Sequence, residues 1–368
     1  MDPQAMNLSP KPGVMDIDAY VPGRSEAKGA ARVHKLSSNE SPFGPSPKAV
    51  AAYEAAEPAL GIYPEGTARI LREAIAAHYG LAADRIVCGN GSDEILTLLA
   101  NAYVRPGDEV LFSAHAFSLY KIATLANSGV PVEVPTPDLT LHVDDMIARV
   151  SGKTRLVYVA NPNNPTASYV SVSEMRRLHR ALPESAILVI DAAYSEYVQK
   201  NDYEAGIELV STTSNVVMTR TFSKVYGLAG LRVGWAYCPK AIADALNRIR
   251  APFNVNIAAQ RAAVAALADT AHTERTIKHN ETWRAWLIEQ IRGLGLRVDD
   301  SAANFVLIHF PDQPGRRSTD ADRFLMARGI IMRACTSYDL PHCLRLTVGS
   351  EEANRAAIDA LRDFVTAP

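Results

Sequence analysis

Short apolar runs alternate with helical stretches through the middle of this chain, and each run ends in polar or turn residues. The runs are Glu109–Phe112, Leu156–Ala160, Ala186–Asp191 and Val216–Thr221. Runs of this length, bounded by turn residues, predict buried strands. Strands that alternate with helices form a mainly parallel sheet flanked by helices, so we predict an α/β fold. Ligands of such sheets bind at the carboxyl ends of the strands.

The pattern changes at about residue 240, where long helical stretches begin. Strand-like runs follow at Asn304–His309, Ile330–Arg333 and Leu344–Val348, and a last amphipathic helix is expected near Glu351–Phe364. The predicted units are a large domain over 47–240, a smaller α+β domain over 241–368, and an N-terminal segment, 1–46, that packs across both. The prolines of that segment exclude a single long helix.

Composition favours small molecules over polymers as partners. The 368 residues carry a formal net charge of -2, without a block of like charges that would bind nucleic acid or a membrane surface. The four cysteines are scattered and no histidine cluster has the spacing of metal ligands, so we expect neither a disulfide scaffold nor a metal site. There is no signal-peptide pattern and no apolar run of bilayer length, and we expect a cytoplasmic protein.

A lysine follows the predicted strand that ends at Thr221. In the segment Thr221–Gly234 the strand leads into Ser223, Lys224, several glycines and Arg232. A lysine desolvated beside other cations has a lowered pKa, and its neutral amine can attack an aldehyde. The hydroxyls and the guanidinium of this segment are donors suited to a phosphate. A surface lysine in a glycine-rich turn is the alternative.

A carboxylate ends the apolar run Ile187–Asp191, and Tyr194 follows three residues later. Burying Asp191 is costly unless it meets a cation. A pyridinium nitrogen is such a cation, and a carboxylate that keeps the ring protonated makes a pyridoxal cofactor an electron sink. Tyr194 could then donate a hydrogen bond to the phenolic oxygen of the ring. A helix cap at Asp191 is the alternative.

Two further turns follow predicted strands. In Asn161–Thr166, two prolines rigidify a loop that would hold the Asn164 amide as a donor. In Cys88–Glu94, glycines precede a helix start, which favours a phosphate, although Ser92 could simply cap that helix. The pattern matches neither the dinucleotide fingerprint nor the P-loop. Because all these pieces follow strands, we predict that they converge on one cofactor site.

These motifs resemble the fold type I aminotransferases that use pyridoxal 5′-phosphate (PLP), and the match is closest to the histidinol-phosphate aminotransferases. The resemblance runs from about Tyr20 to the C-terminus. Its other matching segments are Lys35–Glu40, Pro42–Pro47, Tyr63–Gly66, Cys88–Leu96 and Leu344–Gly349. It implies a fold type I architecture, a homodimer with shared active sites, and transamination of L-histidinol phosphate with 2-oxoglutarate in histidine biosynthesis.

The resemblance also implies roles for individual residues. Lys224 would bind PLP as a Schiff base and carry the proton, and Asp191 would contact the ring nitrogen. Asn164 and Tyr194 would donate to the phenolic oxygen, and Phe117 would stack on the ring. The residues implied to hold the phosphate are Ser92 and Asp93 through backbone amides, Thr221, Ser223, Arg232, and Tyr63 of the partner subunit. The residues implied to contact the substrate are Tyr20, Arg333 and Arg345.

Some positions depart from the family pattern. Ala167 stands where glycine is usual, Ser41 stands where asparagine is common, and Ala334–Thr336 follows Arg333 where other residues are usual. The cofactor residues are intact, but the substrate remains open. An aromatic-amino-acid aminotransferase, a threonine-phosphate decarboxylase and a PLP-dependent regulator are the alternatives. The regulator is disfavoured because the first forty or so residues are too proline-rich and too weakly basic for a DNA-binding module.

Overall fold

The computed structural model describes residues 9–19, 22–27, 29 and 32–367. Its strands are β1 (His34–Lys35), β2 (Ile86–Gly89), β3 (Glu109–Ser113), β4 (Val130–Val134), β5 (Thr154–Ala160), β6 (Ile187–Asp191), β7 (Val216–Thr221), β8 (Gly234–Tyr237), β9 (Arg297–Val298), β10 (Phe305–His309), β11 (Ile330–Ile331), β12 (Arg333–Ala334) and β13 (Cys343–Thr347). Its α-helices are α1 (Pro47–Glu54), α2 (Arg69–Tyr79), α3 (Ser92–Tyr103), α4 (Leu119–Ala126), α5 (Val143–Ala148), α6 (Val172–Ala181), α7 (Ile207–Thr212), α8 (Lys240–Ile249), α9 (Ile257–Ala268), α10 (Thr270–Gly293), α11 (Ser318–Ala327) and α12 (Glu351–Thr366).

The main sheet has the spatial order β2-β8-β7-β6-β5-β3-β4. Its strands run parallel except β8, which is antiparallel to both β2 and β7. Strands β6 and β7 are buried along their whole length. The sequence of β6 is accordingly a continuous apolar run up to Asp191. The carboxyl ends of the parallel strands and the amino end of β8 therefore lie along one edge of the sheet.

Helices cover both faces of the main sheet. One core cluster joins the sheet to α2, α5, α6, α7 and α9, and a second joins the other face to α3, α4 and α8. Several helices start at a side chain that accepts a hydrogen bond from the first turn, as is typical of serine and asparagine N-caps. These caps are Ser46 on α1, Ser171 on α6, Asn256 on α9 and Ser350 on α12.

A four-stranded antiparallel sheet of order β12-β13-β10-β9, here called the small sheet, packs against α10, α11 and α12. The described parts of the N-terminal segment contact both sheets' helices and strands. Ser128, just after α4, donates to the Pro12 carbonyl at 2.9 Å. Strand β1 pairs in parallel with β11. These contacts support a segment that lies across both units.

The strands predicted in the middle of the chain are confirmed within two residues at each end. The predicted strand Ile330–Arg333 is wrong as a single element, because β11 pairs with β1 whereas β12 pairs with β13. The predicted domain bounds stay a prediction. Since α8 and α9 pack on the main sheet and its helices, the packing favours a boundary within α10 rather than at residue 240.

Candidate active site

A cavity of about 270 Å³ lies between the carboxyl edge of the main sheet, the N-terminal segment and the small sheet. The residues assigned to the site from sequence that line it are Ser92, Asp93, Phe117, Asn164, Asp191, Tyr194, Thr221, Ser223, Lys224, Arg232, Arg333 and Arg345. Most come from the ends of parallel strands or the turns that follow them, and the two arginines of the small sheet come from β12 and β13. The sheet topology therefore brings together motifs that are far apart in sequence.

Lys224 lies in the turn after β7. Its Nζ donates to the Ser38 carbonyl at 3.4 Å and lies 5.6 Å from the centre of the Tyr194 ring. Burial, reinforced by the charge of Arg345, lowers the pKa of Lys224 to about 8. The amine is therefore about half neutral near pH 8, and a neutral amine is the form that nucleophilic attack and proton abstraction require.

Asp191 ends β6 and is 6% exposed. Tyr120 Oη donates to its Oδ2 at 2.8 Å, and Thr219 Oγ1 donates to its Oδ1 at 3.1 Å. Burial raises the pKa of Asp191 to about 6, although these two hydrogen bonds oppose the rise. The next helical turn, which begins at Ser195, has no side-chain cap. Asp191 is therefore not a helix cap, and its buried carboxylate is suited to a cationic partner.

Two hydrogen-bond donors line the same cavity. Asn39 Nδ2 donates to the Tyr194 oxygen at 2.9 Å, which leaves the Tyr194 proton for an acceptor in the cavity. Arg345 donates to Asn164 Oδ1, which leaves the Asn164 amide hydrogens for a second acceptor. Burial raises the pKa of Tyr194, against the opposing effects of Arg345 and Asn39. Tyr194 therefore keeps its proton at neutral pH.

Another part of the wall is suited to an anion. Helix α3 begins at Ser92 without a side-chain cap, and an uncapped helix start favours negative charge. This removes the alternative that Ser92 caps the helix. Arg232 lies at the same place, with Nη1 3.5 Å from Ser223 Oγ and Nη2 3.2 Å from the Asp93 carboxylate.

Two glycines allow the elements of this part of the wall to pack closely. Gly91 has a φ of +85°, and a Cβ there would lie 2.6 Å from Arg232 Nη2. A Cβ at Gly234 would lie 2.3 Å from the Ser92 backbone nitrogen. The contact at Gly234 is with backbone, so only glycine allows β8 to approach the start of α3 so closely, and the positive φ of Gly91 favours glycine there too.

Arg333 and Arg345 face each other across the antiparallel pair β12-β13. Both are buried, at 7% and 4% exposure. Arg345 also donates to the Ser37 carbonyl at 2.8 Å, and its guanidinium carbon lies 5.2 Å from the centre of the Phe305 ring. Two buried guanidinium groups on one wall are suited to bind anionic groups of a substrate.

Two residues assigned from sequence are not part of this wall. Tyr63 is 79% exposed and stacks on Phe253, with ring centres 4.6 Å apart. Tyr20 lies outside the described residues. Conversely, the structure adds Tyr120, Thr219 and Asn39, which hydrogen bond to Asp191 or Tyr194 and for which sequence reasoning assigned no role.

The family model for class I and II aminotransferases matches residues 31–361 of this chain. The chain belongs to this family. The match confirms the resemblance to aminotransferases that the motifs predict, since it covers the main sheet, the small sheet and all of the cavity residues named above.

Relatives of this aminotransferase at high identity carry a more specific name. Proteins named histidinol-phosphate aminotransferase from Rhodopseudomonas palustris (strain BisB18) and Nitrobacter winogradskyi are 56% and 54% identical to it, over 98% and 97% of this chain and 99% and 98% of theirs. The crystal structure of histidinol-phosphate aminotransferase from Sinorhizobium meliloti in complex with PLP is 29% identical, covers 91% of each chain and has a TM-score of 0.85. The predicted fold type I architecture is thereby confirmed.

Three further features of this aminotransferase bear on its chemistry. The four cysteines are buried free thiols. No helix among the described residues is long and apolar enough to cross a bilayer. The same part of the chain contains no group of three or more His, Cys, Asp or Glu side chains placed to hold a metal ion.

Proposed function

We propose that this aminotransferase uses PLP to move an amino group from L-histidinol phosphate to 2-oxoglutarate, which gives imidazole acetol phosphate and glutamate in histidine biosynthesis. The observation that carries the proposal is one cavity in which Lys224 lies among a buried carboxylate, an anion-binding wall and a pair of arginines. Identity of 54–56% over nearly the whole chain to proteins named for this activity supports the substrate.

The cavity wall fits PLP group by group. Asp191 would pair with the ring nitrogen, Tyr194 and Asn164 would donate to the phenolic oxygen, and Phe117 would stack on the ring. The uncapped start of α3 and the guanidinium of Arg232 beside it fit the phosphate. The groups that would hold it are the backbone amides of Ser92 and Asp93 and the side chains of Thr221, Ser223 and Arg232.

When bound, PLP supplies an electron sink for the charge that develops on the substrate carbon. Asp191 supports this role by keeping a proton on the ring nitrogen. Lys224 Nζ would hold the cofactor covalently between turnovers and, once released, would take a proton from the substrate carbon and return one. Such general acid–base catalysis contributes about 10²–10⁴-fold. The lowered pKa of Lys224 suits both tasks, because each needs the neutral amine.

Arg333 and Arg345 would bind the anionic groups of the two substrates. The phosphate of L-histidinol phosphate would occupy them in one half-reaction, and the carboxylates of 2-oxoglutarate would do so in the other. One pair of cations can therefore serve both halves of an alternating reaction. Contact of Tyr20 with the substrate stays a prediction, since that residue lies outside the described residues.

Single half-reactions with different donors test the substrate. L-Histidinol phosphate should change the absorbance of the PLP form in one turnover and yield imidazole acetol phosphate. Phenylalanine should react at least about 10²-fold more slowly, because it leaves part of a cationic site unpaired. Equal rates would instead indicate an aromatic aminotransferase. Release of carbon dioxide from threonine phosphate without a keto acid would indicate a decarboxylase.

We further propose a homodimer with shared active sites. Large apolar side chains are exposed in the segment that contains Tyr63 and at Phe253, which stacks on Tyr63. They are Tyr53, Leu60, Ile62, Tyr63 and Phe253, with exposures from 41% to 79%. Apolar patches of this kind mark protein interfaces. In a symmetric dimer Tyr63 could reach the partner's cofactor phosphate, which is consistent with its absence from its own cavity.

Mixing two inactive variants tests the shared site. If Tyr63 contributes to the active site of the neighbouring subunit, a heterodimer of Tyr63→Ala and Lys224→Ala chains has one site that lacks both side chains. Its other site is intact. Random pairing should then restore about one quarter of wild-type activity. Each variant exchanged with itself is the control. Heterodimers confirmed by mass that show no activity above these controls would place Tyr63 outside the partner's site.

The free thiols of the four cysteines also support a cytoplasmic location. Disulfides are rare in reducing compartments, where buried thiols persist. We propose that the enzyme works there on small molecules, without nucleic acid or a membrane as partner.

A further inference from the structure

A buried ion pair lies behind the cofactor wall, on the opposite face of the main sheet. Arg220 of β7 donates through Nη2 to Glu196 Oε1 at 2.8 Å, and each side chain is 8% exposed. The strand neighbours Thr219 and Thr221 project to the cavity face, because successive side chains alternate across a strand. Burial opposes the charge of Arg220, but Glu196 raises its pKa overall. Arg220 therefore keeps its charge.

Arg220 also lies against aromatic rings from other elements. Its guanidinium carbon is 4.7 Å from the centre of the Tyr79 ring in α2 and 5.8 Å from that of Trp235 in β8. The Tyr79 hydroxyl is in turn 3.0 Å from the hydroxyl of Tyr226. One guanidinium thus connects two strands of the sheet, a helix and the loop after β7, directly or through a single hydrogen bond.

Two of the segments that Arg220 connects, the turn that contains Glu196 and the loop after β7, carry residues that we propose for the cofactor site. Glu196 follows Tyr194 by two residues, and Tyr226 follows Lys224 by two residues. Arg220 itself immediately precedes the strand end that leads to Lys224. The turn that contains Tyr194, directly after Asp191, and the turn that contains Lys224 are therefore connected to one another from behind the sheet.

The stability of the fold does not by itself account for a charged pair here. Apolar residues of similar volume often replace a buried ion pair with no loss of stability, or with a gain. Within the described residues, Arg220 Nε has no hydrogen-bond partner, which adds to the cost of burying it. An arginine can instead fix the relative orientation of the groups around it, since its planar guanidinium can pair with a carboxylate while its face stacks on an aromatic ring.

We propose that Arg220 is a positioning residue for transamination, which with Glu196 fixes the placement of Lys224 relative to Asp191 and Tyr194. The inference rests on the proposed function, but it concerns residues that do not touch the cavity. Misplacement of reacting groups by about 1 Å can cost about 10²-fold in rate. Loss of Arg220 should therefore lower kcat while KM changes little.

The double variant Arg220→Met/Glu196→Leu separates positioning from stability, because it removes both charges and leaves neither unpaired. We expect it to melt close to wild type but to have a kcat about 10- to 100-fold lower. The pH midpoint of the absorbance change of the bound cofactor should also shift, since that midpoint reports the surroundings of Lys224. A wild-type kcat and midpoint in the folded double variant would overturn the proposal.

Two single variants complete the test. Arg220→Lys keeps the charge without the planar fork and should lower kcat less than the double variant does, and full activity here would also overturn the proposal. Arg155→Met is the matched control, because Arg155 of β5 pairs with Asp108 at 3.4 Å at the amino edge of the same sheet. It should leave kcat and the midpoint unchanged. If the wild-type enzyme is inactive with L-histidinol phosphate, the proposed function is refuted but the role of Arg220 is not. The pH midpoints of the cofactor absorbance still test that role.

Discussion

Replacing Lys224 with alanine is expected to abolish transamination while leaving the fold and weak PLP binding intact. The change removes the amine that would hold the cofactor and the group that would carry the proton. Loss of the proton carrier alone should cost about 10²–10⁴-fold, and loss of the covalent link adds to it. The anion-binding wall and Asp191 remain, so PLP should still bind loosely. Single-turnover absorbance with L-histidinol phosphate measures the loss.

Borohydride reduction identifies the lysine directly. Wild-type protein should be yellow, and reduction should bleach it and attach the cofactor to the peptide that contains Lys224. Lys240→Ala is a suitable control, because Lys240 is exposed and pairs with Asp244 on the surface of α8. It should retain full activity. Reduced cofactor on a lysine other than Lys224 would contradict the central assignment.

The cofactor side of the cavity could be predicted because its motifs directly follow parallel strands. The β-rich runs before Asn164, Asp191 and Lys224 mark buried strands, although the last contains Arg220, and parallel strands end at one edge. Local sequence thus fixes both the element and the end of it on which each side chain lies. The cavity contains all three side chains.

The partners of these side chains could not be predicted in the same way. Tyr120 reaches Asp191 from α4, and Asn39 reaches Tyr194 from the N-terminal segment, so both contacts depend on how distant elements pack. Thr219 is different. It lies two residues before Thr221 on β7, and the alternation of side chains along a strand places both on the cavity face. That signal was present in the sequence.

The prediction of element bounds and strand pairing from the sequence failed where consecutive short strands pair with two different neighbours. Residues 330–334 form one β-rich run in sequence, yet β11 and β12 belong to different sheets. Pairing partners of two-residue strands are set by long-range contacts, which composition does not encode. The same reason explains why the helices α8 and α9 pack with the main sheet although the sequence pattern changes before them.

Replacing Asp191 with asparagine is expected to separate activity from stability. A neutral amide cannot keep the cofactor ring nitrogen protonated, so the electron sink weakens. Removing one partner of a buried ion pair costs about 3–5 kcal/mol, and if the transition state loses this amount, turnover should fall by about 10²–10⁴-fold. Asp244→Asn, on the exposed surface of α8, is the control and should leave turnover unchanged. Near-normal turnover in Asp191→Asn would refute its assignment to the ring nitrogen.

The same variant should be more stable than wild type when both are free of cofactor. Burial raises the pKa of Asp191 from 3.8 to about 6 in the folded protein, so the folded state binds the proton more tightly than the unfolded state does. Linkage then makes this group destabilise the fold as pH rises from about 4 to about 6, with the full penalty above that range. A pKa shift of about two units corresponds to a loss of at most about 3 kcal/mol in the free energy of unfolding.

Thermal melts of cofactor-free protein at several pH values measure this penalty. At pH 8 Asp191→Asn should melt a few degrees above wild type, and the difference should shrink as pH falls through 6 and vanish below about 4. PLP should reverse the order at pH 8, because only the wild-type carboxylate gains a cation to pair with. A variant that is less stable than wild type at every pH, with and without PLP, would mean that Asp191 serves the fold rather than the cofactor.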